Sequence, residues 1–114
     1  MSASDHTQKK QFWTAGELMG IKITDGAGSG SMTYNQDKAT RDIKIETAQK
    51  NGWTGQDRST DNSTLYDSIK EKGVQQPVRI GRNAAGEPVL RDGHHRVAVA
   101  NDIDPNMVVP HEYL

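Results

Sequence analysis

Apolar positions are unevenly spread along the chain: scattered up to about residue 63, dense and patterned from Leu65 onward. In the second half they predict a helix over Leu65–Lys72, with Leu65, Tyr66 and Ile69 on one face. Asn62 or Ser63 is positioned to cap its start, and Gly73 stands where a left-handed residue ends a helix. The stretch from Gly73 through Gln76 and Pro77 reads as a turn launching a strand at Val78-Arg79-Ile80, and residues 81–88 as a hairpin connection to a strand at Val89-Leu90. There follow an Asp92-Gly93 turn and a small apolar helix through Val97-Ala98-Val99-Ala100, ending between Asn101 and Pro105. Met107–Pro110 forms a last short strand, and residues 111–114 trail from it.

The first half carries weaker patterns. Residues 1–11 read as a flexible tail. Thr14 to Met19 fits one helical turn, with Thr14 as N-cap, Glu17 completing a capping box and Gly20 as a stop; Phe12, Trp13, Leu18 and Met19 are its expected core anchors. Ile21-Lys22-Ile23 alternates as a strand does, and Thr24–Thr33 is a glycine-rich loop that lacks the Gly-Lys-Ser/Thr of a P-loop. From Asp37 to Lys50 a helix is expected, with Ala39, Ile43 and Ala48 on its apolar face, although 42–46 also alternates as a strand. Trp53 reads as a lid over core and 54–62 as a second polar loop. The order of elements predicts a single small α+β domain: a tail over 1–11, an irregular N-terminal part with the glycine-rich loop over 12–62, and a core over 63–114.

Composition narrows the chemistry. Fourteen Lys and Arg against fifteen Asp and Glu leave a net charge of -1, so any contact with DNA must be local rather than driven by the whole surface. The absence of cysteine excludes disulfides, thiolate metal sites and cysteine nucleophiles. No apolar run is long enough for a signal peptide or a membrane span, so a cytoplasmic protein without a membrane partner is expected.

The richest chemistry lies at the strand-to-helix junction. A helix start leaves its first N–H groups without intrahelical partners and is partly positive, which suits an anion such as phosphate. Gly93 gives the backbone freedom for the turn, and Arg96 places a planar fork of donors on the first helical turn. His94 is a candidate phosphate ligand or general acid. Asp92 either braces the turn or meets a Mg²⁺ bridged by phosphate. His94 and His95 diverge by about 100° on a helix and so do not chelate one ion together. Arg79, Arg82 and Arg91 read as solvated strand and hairpin charges, and His111 and Glu112 as surface residues.

Leu65, Ser68-Ile69, Gly73-Val74, Gln76-Pro77-Val78 and then Asp92-Gly93-His94-His95-Arg96-Val97-Ala98, with Ala100, resemble the N-terminal domain of ParB-type proteins, within the ParB/sulfiredoxin superfamily. The resemblance spans about residues 63–110 and implies a small mixed sheet with packed helices around a nucleotide pocket. It implies that Gly93, His94, His95 and Arg96 surround the phosphates and that Gln76 and Pro77 lie near the base or sugar. With a nucleotide as ligand, the Mg²⁺ expected above would be held by its phosphates and Asp92. CTP and ATP are both used in the superfamily, for hydrolysis or phosphoryl transfer, and the fold does not choose between them. Sulfiredoxin chemistry is excluded, because His94 stands where that enzyme has its cysteine. The segments that follow this domain in full ParB proteins are not seen before Leu114, so centromere binding is not expected. Stand-alone domains of this kind are common in bacteriophages and are often labelled ParB-like nucleases. Two other readings therefore stay open: a metal-dependent DNA nuclease with His94 and Asp92 as catalytic groups, and a non-catalytic protein that binds a phage or host partner or a second copy of itself.

Overall fold

The computed structural model describes residues 10–24, 30–50 and 64–114. Expectations for residues 1–9, for Trp53 and for the 54–62 loop lie outside these. The described chain is an α+β fold running β1 (Trp13–Thr14), α1 (Ala15–Leu18), β2 (Lys22–Ile23), α2 (Lys38–Lys50), α3 (Leu65–Lys72), β3 (Val78–Arg82), β4 (Pro88–Asp92), α4 (His94–Ile103), β5 (Val108–Val109) and β6 (His111–Tyr113). Four strands form a mixed sheet in the order β2-β4-β3-β6. The β3–β4 hairpin is antiparallel at its centre, and β2 and β6 each join an edge in parallel. A separate antiparallel ribbon pairs β1 with β5.

Helix α4 is the centre of the packing. Val97, Ala98, Val99 and Ala100 are all buried, so no side of this stretch faces water. A helix apolar all round is stable only when other elements surround it, and α1, α2 and α3 pack on α4 while β3 lies beneath it. Its two alanines allow close approach. One buried cluster unites these helices with the sheet, from Leu18 and Ile23 through Ile69 and Ile80 to Val109.

The local signals explain most element boundaries. The side chain of Thr14 accepts from the backbone N–H of Glu17, and the Glu17 carboxylate accepts from the backbone N–H of Thr14 at 2.9 Å, a complete capping box. Gly73 closes α3 with φ 76°. The cap of α3 is Thr64, not Asn62 or Ser63: its hydroxyl accepts from the Asp67 N–H at 3.1 Å. For α2, the choice between helix and strand falls to helix, with the Asp37 carboxylate accepting from the Thr40 backbone N–H at its start. The expected apolar face is wrong, however. Ile43 is 64 % exposed and Ala39 is also exposed, while Ala48 is buried and the half-buried residues are Thr40, Arg41, Lys44, Ile45 and Thr47. Long polar side chains can cover a core with their stems, so apolar identity alone misplaced the face.

Two further expectations fail at the ends of the described chain. Phe12 is 67 % exposed and anchors nothing, whereas Trp13, Leu18 and Met19 are buried as predicted. Residues 111–114 do not simply trail: 111–113 form β6, with Val78 paired to His111 and Ile80 to Tyr113. Three residues are too few to show a period in sequence. Tyr113 also locks the two ends of the described chain together, because its hydroxyl accepts from the Trp13 indole N–H at 3.0 Å and donates to the Lys10 carbonyl at 3.0 Å.

Thr14→Ala is expected to lower the unfolding free energy by about 1 kcal/mol in a urea titration, the usual value of an N-cap. No change would show that α1 is held by packing alone. The Glu17 carboxyl is held below the ordinary carboxylate range, first by its hydrogen bond from Lys10 and then by the Thr14 backbone N–H. A depressed folded-state value stabilises the fold fully above the unfolded value of about 4.3 and ceases to do so as pH falls through the folded value. Glu17→Gln should therefore flatten the acid limb of stability against pH.

Candidate functional site

The junction between β4 and α4 is shaped by an irregularity in the hairpin ladder. Ile80 pairs with Leu90, but Arg79 pairs with Asp92, which leaves Arg91 as an extra residue on β4. A bulge of this kind twists a strand and redirects the residues after it. Gly93 follows immediately at φ 93° and ψ 25°, a left-handed conformation that carries the chain from strand into helix. Continuing the antiparallel register brings Gly93 over Val78, and the approach is so close that a Cβ would lie 2.5 Å from Val78 Cγ1. Glycine is required here twice, by conformation and by space.

Being glycine, the N-cap of α4 offers no side-chain hydrogen bond to the helix. The first helical bond is donated by the Val97 N–H to the Gly93 carbonyl at 3.0 Å. Asp92, 41 % exposed at its side chain, accepts from the Gly93 N–H at 2.9 Å and stands 3.9 Å from Arg96 Nη2. The carboxylate thus braces the turn through Oδ1. Among the described residues no group of three His, Asp or Glu side chains could hold a metal ion.

Arg96 does not point outward. It is only 4 % exposed, and Nη1 donates to the carbonyls of Gln76 at 2.9 Å and Pro77 at 2.8 Å. Gln76 and Pro77, which the resemblance to ParB-type domains implies lie near a base or sugar, meet Arg96 through their backbones, while the Gln76 side chain is exposed. Gly93 packed on Val78 and Arg96 bound to the two preceding carbonyls make one rigid joint out of two segments some twenty residues apart. The turn before β3 and the start of α4 are thereby tied to each other in this chain.

Two residues at the junction were not visible in the sequence. Thr24 follows β2, which runs parallel to β4, and its backbone N–H donates to the Leu90 carbonyl at 3.3 Å. Its hydroxyl lies 3.3 Å from His94 Nε2. Tyr34, fully buried, packs edge-on against the His94 ring with centroids 6.3 Å apart. A lone tyrosine amid small polar residues was the available signal for the second; nothing marked Thr24. The Gly30 N–H donates to the Ile23 carbonyl, so the glycine-rich segment returns to β2. His95, half-buried, completes the first turn of α4.

The arginines expected to be solvated are exposed: Arg79 lies 3.5 Å from Glu112, Arg82 donates to the Gly86 carbonyl, and Arg91 lies along Gly81. Two surface concavities lie away from the junction and share none of its residues. One, of about 160 Å³, is beside Trp13, Arg82 and Tyr113, and the other, of about 580 Å³, is beside Phe12 and Val108. Among the described residues no helix is long and apolar enough to cross a membrane. No family model matches the chain, and neither the curated proteins nor the solved structures provide a match.

Proposed function

We propose that the β4–Gly93–α4 junction binds the phosphates of a nucleoside triphosphate, and that the chain is a ParB-like nucleotide-binding domain. The observation that carries this reading is positional. A ten-residue helix without a side-chain cap opens directly from β4, at the end where β2 runs parallel to it. In α/β sheets ligands gather outside the carboxyl ends of parallel strands, and the start of a helix there supplies N–H groups and a partial positive charge. His94 and His95 border this end, and Thr24 adds a hydroxyl. Asp92 carries the carboxylate for a Mg²⁺ bridged by phosphate, and that ion would offset phosphate charge when bound.

Arg96 has a different part from the one its motif suggested. Its bonds to Gln76 and Pro77 set the distance between the turn before β3 and the helix start, so it positions the helix start. CTP and ATP are both candidates, and the reaction class is hydrolysis or phosphoryl transfer.

His95→Glu separates binding from folding. A carboxylate in the first turn of a helix favours the helix by about 0.3–1 kcal/mol, yet it repels an incoming phosphate. With its own melting temperature as the baseline, the variant should lose the rise that CTP or ATP with Mg²⁺ gives the parent, with affinity down about tenfold or more. A nucleotide-dependent rise of the same size in both proteins would move the binding site away from α4.

A further inference from the structure

Thr24 and His94 are 70 residues apart in sequence, and their side chains meet at 3.3 Å between Oγ1 and Nε2. Both residues are half-buried, so the pair is reachable from solvent without being fully hydrated. Each is fixed by its surroundings. Thr24 is tied to β4 by the bond from its backbone N–H to the Leu90 carbonyl. His94 is the first residue of α4, and the buried ring of Tyr34 stands against its imidazole at 85°. A hydroxyl facing an imidazole nitrogen that is itself held in place is the arrangement by which an unreactive alcohol becomes a nucleophile. The Thr24 hydroxyl donates to the Leu90 carbonyl at 3.4 Å, a long bond, and rotation about its C–O bond turns the same proton toward His94 Nε2 when that nitrogen is the unprotonated one.

We propose that Thr24 accepts a phosphoryl group from a nucleoside triphosphate, with His94 as the general base, so that the protein phosphorylates itself beside its own nucleotide site. This rests on the nucleotide-binding reading above. In the step, Thr24 Oγ1 forms a bond to the γ-phosphorus as the bond from that phosphorus to the β–γ bridging oxygen breaks. The hydroxyl proton passes to His94 Nε2, which later yields it to water. The nucleoside diphosphate leaves with the electron pair, and nothing is oxidised or reduced. The reaction needs positioning and charge stabilisation more than covalent assistance, and the start of α4 offers both. The product has a consequence for the site. Phosphothreonine at position 24 carries close to two negative charges next to the positive end of α4, where the phosphates of the nucleotide would lie. The modified chain should therefore bind nucleotide more weakly, and one turnover limits the next.

The test uses the whole chain, incubated with ATP or CTP and Mg²⁺, then weighed intact and after fragmentation. Nucleotide binding is measured separately by equilibrium dialysis. The expected result is one added phosphoryl group, located on Thr24, absent in Thr24→Val, retained in Thr24→Ser, and formed about a hundredfold more slowly in His94→Asn, as for loss of a general base. Melting curves of the variants establish that each is folded. Nucleotide bound with no phosphate on Thr24, or phosphate that persists in Thr24→Val, overturns the inference and leaves the binding reading intact. No nucleotide bound to the parent overturns both.

Discussion

Gly93→Ala is expected to lower the unfolding free energy by about 3 kcal/mol or more, a large share of the roughly 5–15 kcal/mol that holds an ordinary domain. Two costs combine. A side chain at φ 93° is strained by about 1–2 kcal/mol. The new methyl would also stand 2.5 Å from Val78 Cγ1 and 3.1 Å from the Val78 Cα, and forcing an extra methyl into a packed site costs about 1–3 kcal/mol. Val78 is completely buried on β3, between β4 and β6, and has no room to retreat. The two costs separate in a double-mutant cycle. Val78→Ala alone should destabilise by about 2 kcal/mol through the cavity it leaves. In the double variant the alanine at 93 moves into that cavity, so the combined loss should fall short of the sum by at least about 1 kcal/mol. Urea titrations of the four proteins measure this directly. Additive losses would show that the clash is relieved elsewhere and only the backbone strain matters.

Arg96→Met is expected to cost about 2–4 kcal/mol, from hydrogen bonds to a charged donor lost at two carbonyls. Methionine keeps most of the volume, so the loss reads the hydrogen bonds more than the packing. The Gln76 and Pro77 carbonyls would then have to find water, and the turn before β3 would loosen from α4. Arg96→Lys keeps the charge but not the planar fork, and a single ammonium on a shorter reach does not reproduce the same pair of bonds. Lysine should recover part of the stability and little of the order of the turn, which amide hydrogen exchange at Val78 and its neighbours would report. Equal exchange in parent and Arg96→Met would show that the turn is held by β3 pairing alone.

Much of the hairpin and helix arrangement was legible because each boundary has a local cause. Gly73 and Gly93 carry positive φ values, Thr14 and Glu17 cap reciprocally, and the β3–β4 hairpin joins two short strands with buried apolar centres. What was not legible depends on partners far along the chain. The sequence shows that Arg96 is on a first helical turn, but not that the carbonyls it meets belong to residues 76 and 77. An arginine beside a helix start has the same local signature whether it faces phosphate or backbone. Thr24 was hidden for the same reason, since only the parallel pairing of β2 with β4 brings it to His94. The strand at 111–113 depends on β3 and Pro110, whose carbonyl accepts from the Val78 N–H at 2.9 Å, and has too few residues to announce itself. For α2 the missing term was the capacity of Arg41 and Lys44 to lie half-buried while Ile43 stays in water.

The central claim is that phosphate is received by the backbone at the start of α4. Its most direct test is a titration of the isotope-labelled chain with CTP and with ATP, each with Mg²⁺, followed through the backbone amide resonances. Saturable shifts should concentrate on His94, His95, Arg96 and Val97, with Thr24 beside them, and inorganic triphosphate should reproduce the pattern at the helix start. Amides that do not move at 94–97, or shifts grouped instead around Trp13 and Tyr113, would contradict it.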